Sequence, residues 1–348
     1  MTIASRPRIG VSVMPLENRR EVLTGLATTA DALGYDGFFL PEAWGYDTTV
    51  LLADAAARTR RITLGTGILG VWSRSAATIA MAAATLHAVS GGRFALGLGS
   101  QVRGNITGRY STAWAPPIPR MREYVGSLRA ILDTWQNGTP LRFEGEHYRF
   151  TRMQPFFAPG KLDHPGIPIL LGGIGPGMTA LAGEVADALV THPTSSAPRY
   201  LREVVIPRIA RGAARAGRVP GACRLFVAPL VASGETEEDV RREREGVRRL
   251  FGFLFSTPPY WPPLELFGWK ERGEKLHELS RANRWDAMAE VVSDEMLDAF
   301  APSGRYAEIA DVLREWYAGI SDWITFPMPE DPGGDSAVSE VLQALRGA

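Results

Sequence analysis

Pro168-Ile169-Leu170-Leu171-Gly172-Gly173-Ile174-Gly175-Pro176-Gly177-Met178 is the stretch on which the fold turns. Ile169 to Leu171 carries no polar side chain, which reads as a strand buried on both faces, the condition of strands in a parallel sheet. The run breaks into Gly172, Gly173, Gly175 and Gly177 around Pro176. A helical spacing of Met178, Leu181, Ala182 and Val185 follows. Glycines at a strand-to-helix turn let backbone N–H groups approach a ligand, and the helix N-terminus adds unpaired donors and partial positive charge. Gly172, Gly173, Ile174, Gly175, Pro176, Gly177 and Met178 therefore read as a phosphate cradle. A tight turn with purely structural glycines explains the same letters.

Outward from this unit the pattern repeats. Apolar runs at Arg8–Met14, Tyr35–Leu40, Ile62–Ile68 and Arg93–Leu98 precede it, and Ala188–His192, Arg224–Val231 and Ser321–Phe326 follow it. Between them lie helical periods at Glu17–Leu33, Thr48–Arg60, Ala76–Val89, Arg120–Trp135, Arg199–Ala216, Glu237–Phe255 and Tyr306–Tyr317, with Ala337–Leu345 closing the chain. Eight strands alternating with helices predict a (β/α)8 TIM barrel over a single domain, 1–348, with excursions at about 139–167 and 256–301. A hairpin is expected around Leu141–Phe150 in the first. A doubly wound sheet is the alternative, but Met14-Pro15-Leu16-Glu17-Asn18 follows the first strand where a dinucleotide fold needs GxGxxG.

Composition removes several function classes. Hydrophobic residues make up 45% of the chain and charged ones 22%, at zero formal net charge, which argues against nucleic acid as a partner. No apolar run nears the roughly 18 residues of a membrane span, and no signal-peptide core leads the chain, so a cytoplasmic protein is expected. The lone Cys223 excludes an internal disulfide. His87, His147, His164, His192 and His277 are scattered without metal-ligand spacing, so no metal site is expected.

In a barrel, chemistry gathers at the C-terminal ends of the strands. Those positions are Met14, Pro41 to Trp44, Gly67-Ile68-Leu69, Gly99-Ser100-Gln101, Gly172 to Gly177, His192, Ala232-Ser233 and Pro327. Few of them titrate near neutral pH; Glu42 and His192 lead. So sparse an acid–base inventory beside a phosphate cradle suits a site where a bound cofactor does the hard chemistry.

Gly34-Tyr-Asp-Gly-Phe-Phe-Leu-Pro-Glu-Ala-Trp44, Arg61-Ile-Thr-Leu-Gly-Thr-Gly67, Ser90-Gly-Gly-Arg-Phe-Ala-Leu-Gly-Leu-Gly99 and Arg122-Glu-Tyr124 resemble the bacterial luciferase-like monooxygenase superfamily. They look most like its actinobacterial branch that uses the deazaflavin coenzyme F420. The resemblance implies a cofactor ring over the ends of strands two to four, near Gly67, Ile68, Leu69, Ser100 and Gln101. It places the phosphate at the turn after strand five, and a non-prolyl cis peptide at Gly67–Ile68. The family's acidic residue after strand two falls on Glu42, where it would hydrogen-bond ring or substrate; a carboxylate capping the next helix is the other reading. The histidine that acts as a base in sugar-phosphate-oxidising relatives falls on Ala43, and their strand-four glutamate has no match in Ser100-Gln101-Val102. That mechanism is not expected here.

His192, in Val190-Thr-His-Pro193, is the best-placed proton donor, although a histidine there also serves as a structural hydrogen-bonder. Arg103, Arg109, Arg120 and Arg122 crowd the segment after strand four. They read either as a salt-bridged face or as a path for an anionic cofactor tail. Trp44, Trp72 and Tyr110 could wall the ring or pack the core. The apolar stretch Tyr260 to Trp269 would help cover the mouth and hints at a bulky substrate. The expectation is a homodimeric oxidoreductase moving a hydride between F420 and an unidentified, bulky organic substrate, with Glu42 and His192 as its catalytic residues. Alternatives on the same scaffold are an FMN-dependent monooxygenase and a cofactor-binding barrel without turnover.

Overall fold

The apolar runs form eight parallel strands: β1 (Arg8–Ser12), β2 (Gly37–Leu40), β3 (Thr63–Thr66), β4 (Phe94–Gly99), β5 (Ile169–Gly172), β6 (Ala188–Val190), β7 (Arg224–Val227) and β8 (Trp323–Thr325). The computed structural model describes residues 7–13, 19–42, 45–329 and 332–347; Met14, Glu17, Ala43 and Trp44 lie outside them. Each strand pairs with its successor, and β8 pairs with β1 through Arg8↔Trp323 to Gly10↔Thr325, which closes the barrel. This is the expected TIM barrel.

Inside it, Phe39, Ala95, Leu170, Ala188 and Phe226 form a small core of their own, with the Phe39 and Phe226 rings edge-to-face at 4.7 Å. The larger core lies between the barrel and its helices: α1 (Arg20–Leu33), α2 (Thr48–Arg58), α3 (Ala76–Val89), α4 (Pro117–Asn137), α5 (Pro176–Val185), α6 (Ile206–Arg215), α7 (Glu237–Phe255), α8 (Lys270–Arg281), α9 (Asp294–Phe300), α10 (Tyr306–Tyr317) and α11 (Asp335–Leu345). No helix among the described residues is long and apolar enough to cross a membrane.

Several boundaries differ from the reading of the sequence. Strand three stops at Thr66, the Gly67–Ile68 peptide that follows is cis, and the chain rejoins the sheet at Leu69–Gly70, beside Leu98 and Gly99. Strand seven stops at Val227, ahead of Pro229, which has no N–H for a ladder. The residues beyond it, Ala232–Gly234, pair with Ser303–Arg305 in a separate two-stranded sheet. Helix four begins at Pro117, earlier than periodicity indicates, since prolines fit a first helical turn where N–H groups lack partners anyway. Within 139–167, Phe143–Glu144 pairs antiparallel with Arg149–Phe150.

The helix carrying the glycine-rich turn is held by backbone contact. A Cβ on Gly212 of α6 would stand 1.8 Å from the Ala180 carbonyl oxygen, and one on Gly183 of α5 would stand 2.1 Å from that of Ile209. Neither Cβ fits unless the two helix backbones move apart. Gly212→Ala should therefore cost about 3 kcal/mol in urea unfolding. Gly25→Ala in α1, with nothing within 4 Å of the added carbon, should be neutral or stabilising. Equal effects of the two would contradict this packing.

Candidate active site

The Ile68 side chain lies across the ends of β4 and β5. A Cβ on Gly99 would meet Ile68 Cδ1 at 2.3 Å, and one on Gly172 would meet its Cγ2 at 3.1 Å, so the isoleucine lies flat on two glycines. That makes an apolar shelf. Beside it, Gly175 is the N-cap of α5 and Pro176 its first residue, so the N–H groups of Gly177 and Met178 have no intrahelical acceptor. A Cβ on Gly175 would meet nothing within 4 Å, whereas one on Gly173 would press on Met178 Cγ at 2.7 Å. Open space faces Gly175 in front of a helix N-terminus, which is the geometry an anion needs.

Shelf and turn border one cavity of about 1110 Å3 at the C-terminal ends of the strands. Gly67, Ile68, Ser100, Gln101, His192 and Gly172 through Met178 all line it. Its far wall is Leu230, Val231, Val247 and Leu250, with Tyr260 of the second excursion. Arg103 and Glu243 are its only Asp, Glu, Lys or Arg side chains among the described residues. Gln101, at the lip, has a left-handed backbone (φ 56°), and its Oε1 accepts from Asn105 Nδ2 at 3.0 Å.

Two expected residues are placed elsewhere. Leu69 is fully buried in the core outside the cavity. Glu42 turns its carboxylate away from the cavity: Oε2 accepts from the Gly70 N–H at 2.7 Å and Oε1 pairs with Arg74, which also binds Asp47 Oδ2 at 2.7 Å. Glu42 thus clamps the bulge that carries Ile68. Nor do the four arginines converge. Arg120 lies over Trp72 at 4.4 Å and donates to the Tyr148 hydroxyl at 2.9 Å, and Arg122 pairs with Glu184 at 2.8 Å. Only Arg103 reaches the cavity, flanked by Trp114 at 5.2 Å. Trp72 is buried behind the shelf, its Nε1 donating to the Ser100 carbonyl.

The luciferase-like monooxygenase family model matches residues 2–322. The chain belongs to that family. A Mycobacterium tuberculosis relative described as an uncharacterized protein is 39% identical over 303 residues, covering 85% of this chain and 88% of its own. An F420-dependent glucose-6-phosphate dehydrogenase of Nakamurella multipartita is 31% identical over 288 residues, 78% of this chain and 79% of its own. The coenzyme F420-dependent tetrahydromethanopterin reductase of Methanopyrus kandleri shares the fold, with a TM-score of 0.80 at 22% identity over 97% of this chain and 98% of that one.

In this luciferase-like barrel His192 differs from the titrating donor expected of it. Burial pushes its pKa down to about 4, so the imidazole is neutral at physiological pH. The Thr194 N–H donates to Nδ1 at 3.4 Å, and the Thr194 hydroxyl lies 2.8 Å from the same nitrogen. A backbone N–H can only donate, so Nδ1 is the acceptor and the proton resides on Nε2. The imidazole packs against the Tyr260 ring with centroids 4.5 Å apart. Nitrogen NMR should show the Nε2–H tautomer with a midpoint near pH 4; a midpoint near the ordinary imidazole value of 6.5 would contradict the burial. The sign for stability follows: between these pH values the unfolded chain binds a proton that the native site refuses. The stability this neutral site contributes is full above about 6.5 and is lost as pH falls toward 4.

Two contributors escaped the sequence reading. Arg74 follows the third strand without any motif, and its role appears only once Glu42 and Asp47 are beside it. Val247 and Leu250 sit on the charged helix α7, where their apolar character against Arg and Glu neighbours was the available signal.

Proposed function

We propose that this protein is an F420-dependent oxidoreductase that transfers a hydride between the deazaflavin and a bulky organic substrate. The observation that carries the reading is the single cavity joining a helix-capped glycine turn, the flat Ile68 shelf and an apolar wall, with almost no acid or base of its own. The residues fit the coenzyme. The N–H groups of Gly177 and Met178 would bind its phosphate, Gly175 leaving the space open. Gly67, Ile68 and Gly99 would support the ring, and Ser100 and Gln101 would line its edge. Arg103 would meet the carboxylates of the tail.

When bound, the deazaflavin supplies or accepts the hydride. The chain's part is to orient the substrate against the ring, exclude water with the Tyr260 wall, and hold a hydrogen-bond donor at His192 Nε2. The F420-dependent dehydrogenase relative supports the choice of coenzyme. Its sugar-phosphate substrate does not transfer, because the resemblance puts Ala43 where that chemistry would use a histidine and finds no match for its glutamate in Ser100-Gln101-Val102.

The cradle and shelf would also take FMN, which has a phosphate and a tricyclic ring, so an FMN-dependent monooxygenase is the second reading. Purification from a host that makes both coenzymes separates them. Denatured protein should release F420, identified by absorbance and mass; release of FMN instead would overturn the assignment.

A further inference from the structure

Two hydrogen-bonding groups on the cavity wall have no partner among the described residues. His192 Nε2–H has no acceptor among the described residues, because the contacts of the ring are all made through Nδ1 and through stacking. The Tyr260 hydroxyl likewise has no partner among the described residues, and burial raises its pKa, so it stays a phenol. Tyr260 is held from behind. It ends the Pro258–Tyr260 turn, its neighbour Trp261 donates to the Phe255 carbonyl at 2.7 Å, and the Trp261 indole fills the space a Cβ on Gly273 would need. Around the pair the wall is Leu230, Val231, Val247 and Leu250, and the nearby Glu243 carboxylate lies toward Arg242 at 3.9 Å. With no protein acceptor, two neighbouring donors beside an apolar wall offer their hydrogen bonds to an acceptor that enters the cavity.

We infer that His192 and Tyr260 together bind the oxygen of an uncharged, apolar ketone or aldehyde, which fixes the substrate class as a carbonyl compound reduced to its alcohol. This rests on the hydride-transfer reading above for its hydride donor. A hydride leaves a C–H bond of the reduced coenzyme and forms a C–H bond at the carbonyl carbon, while the π pair of the C=O bond moves to oxygen. That oxygen takes the Tyr260 phenolic proton, since an alkoxide is a much stronger base than a phenolate, and water returns a proton to the tyrosine. His192 keeps its Nε2 proton throughout and stabilises the developing negative charge as a neutral donor. Carbonyl, hydride and proton sum to the alcohol.

Infrared spectroscopy on the intact protein tests the pair without turnover, using cyclohexanone as the probe and methylenecyclohexane as its oxygen-free counterpart, with and without oxidised F420. Bound cyclohexanone should show a C=O stretch at lower wavenumber than in an apolar solvent, and should bind on the order of tenfold tighter than methylenecyclohexane. Tyr260→Phe should remove much of the shift and bring the two probes within about threefold. His192→Phe should act similarly, while His192→Gln, which keeps a donor, should retain part of the shift. Tyr260→Phe deletes one cavity-facing oxygen and leaves packing intact, so it decides the matter even where His192→Phe fails to fold. An unshifted stretch in the native protein, or a shift unchanged by Tyr260→Phe, overturns the donor pair. F420 affinity measured on the same samples separates the two readings: normal F420 binding without ketone preference removes the donor pair alone, and ketone preference without F420 binding removes the coenzyme assignment alone.

Discussion

Gly175→Leu should lower F420 affinity about 100-fold while leaving the fold unchanged. The estimate follows from losing two hydrogen bonds to a charged phosphate, each worth about 1.5 kcal/mol or more. Gly175 has φ −70° and ψ 154°, a conformation any residue adopts, and an added side chain enters empty space in front of α5. Thermal unfolding should therefore barely move, since no native contact is broken. Neighbouring glycines make poorer probes: at Gly177 a Cβ would strike Ile118 at 2.3 Å, and at Gly173 it would displace Met178, so both mix packing with binding. Fluorescence titration of wild type and variant reads the effect. Unchanged affinity in a folded Gly175→Leu protein would remove the cradle.

Glu42→Ala should cost about 3 kcal/mol of stability and weaken coenzyme binding together. The Glu42 side chain is only 8% exposed, and removing it leaves the Gly70 N–H without its acceptor and Arg74 with Asp47 alone. Breaking a buried pair in this way leaves an incompletely compensated charge, the expensive half of the interaction. Glu42→Gln keeps an acceptor for Gly70 and should cost roughly half as much. Chemical denaturation checks both. A proton-transferring Glu42 would behave oppositely, with Glu42→Gln abolishing turnover at unchanged stability, and that outcome would restore the catalytic role expected from the sequence.

The barrel is legible in the chain because its strands are buried on both faces, so runs such as Ile169–Leu171 lack polar members and stand out between helical periods. The glycine turn is legible because Gly and Pro mark backbone geometry directly. Strand ends are less so: the third strand stops at Thr66 although the sequence pattern runs on to Ile68, and the missing N–H of Pro229 cuts the seventh short inside an apolar run. Side-chain partners are hardest to read. Whether Glu42 meets a substrate or Arg74, and whether Arg122 meets a coenzyme tail or Glu184, depends on elements brought alongside by the fold. The neutral state of His192 belongs to the same class, since its burial involves Tyr260 from the second excursion.

The central claim is tested most directly by titrating the purified apoprotein with F420 and with FMN at low and high salt, following cofactor fluorescence. F420 should bind more tightly than FMN, and its binding should weaken modestly with salt, because Arg103 is the one basic side chain among the described cavity residues and its attraction for tail carboxylates is screened. Micromolar or tighter FMN binding with no measurable F420 affinity would contradict the account and establish the FMN-dependent reading in its place.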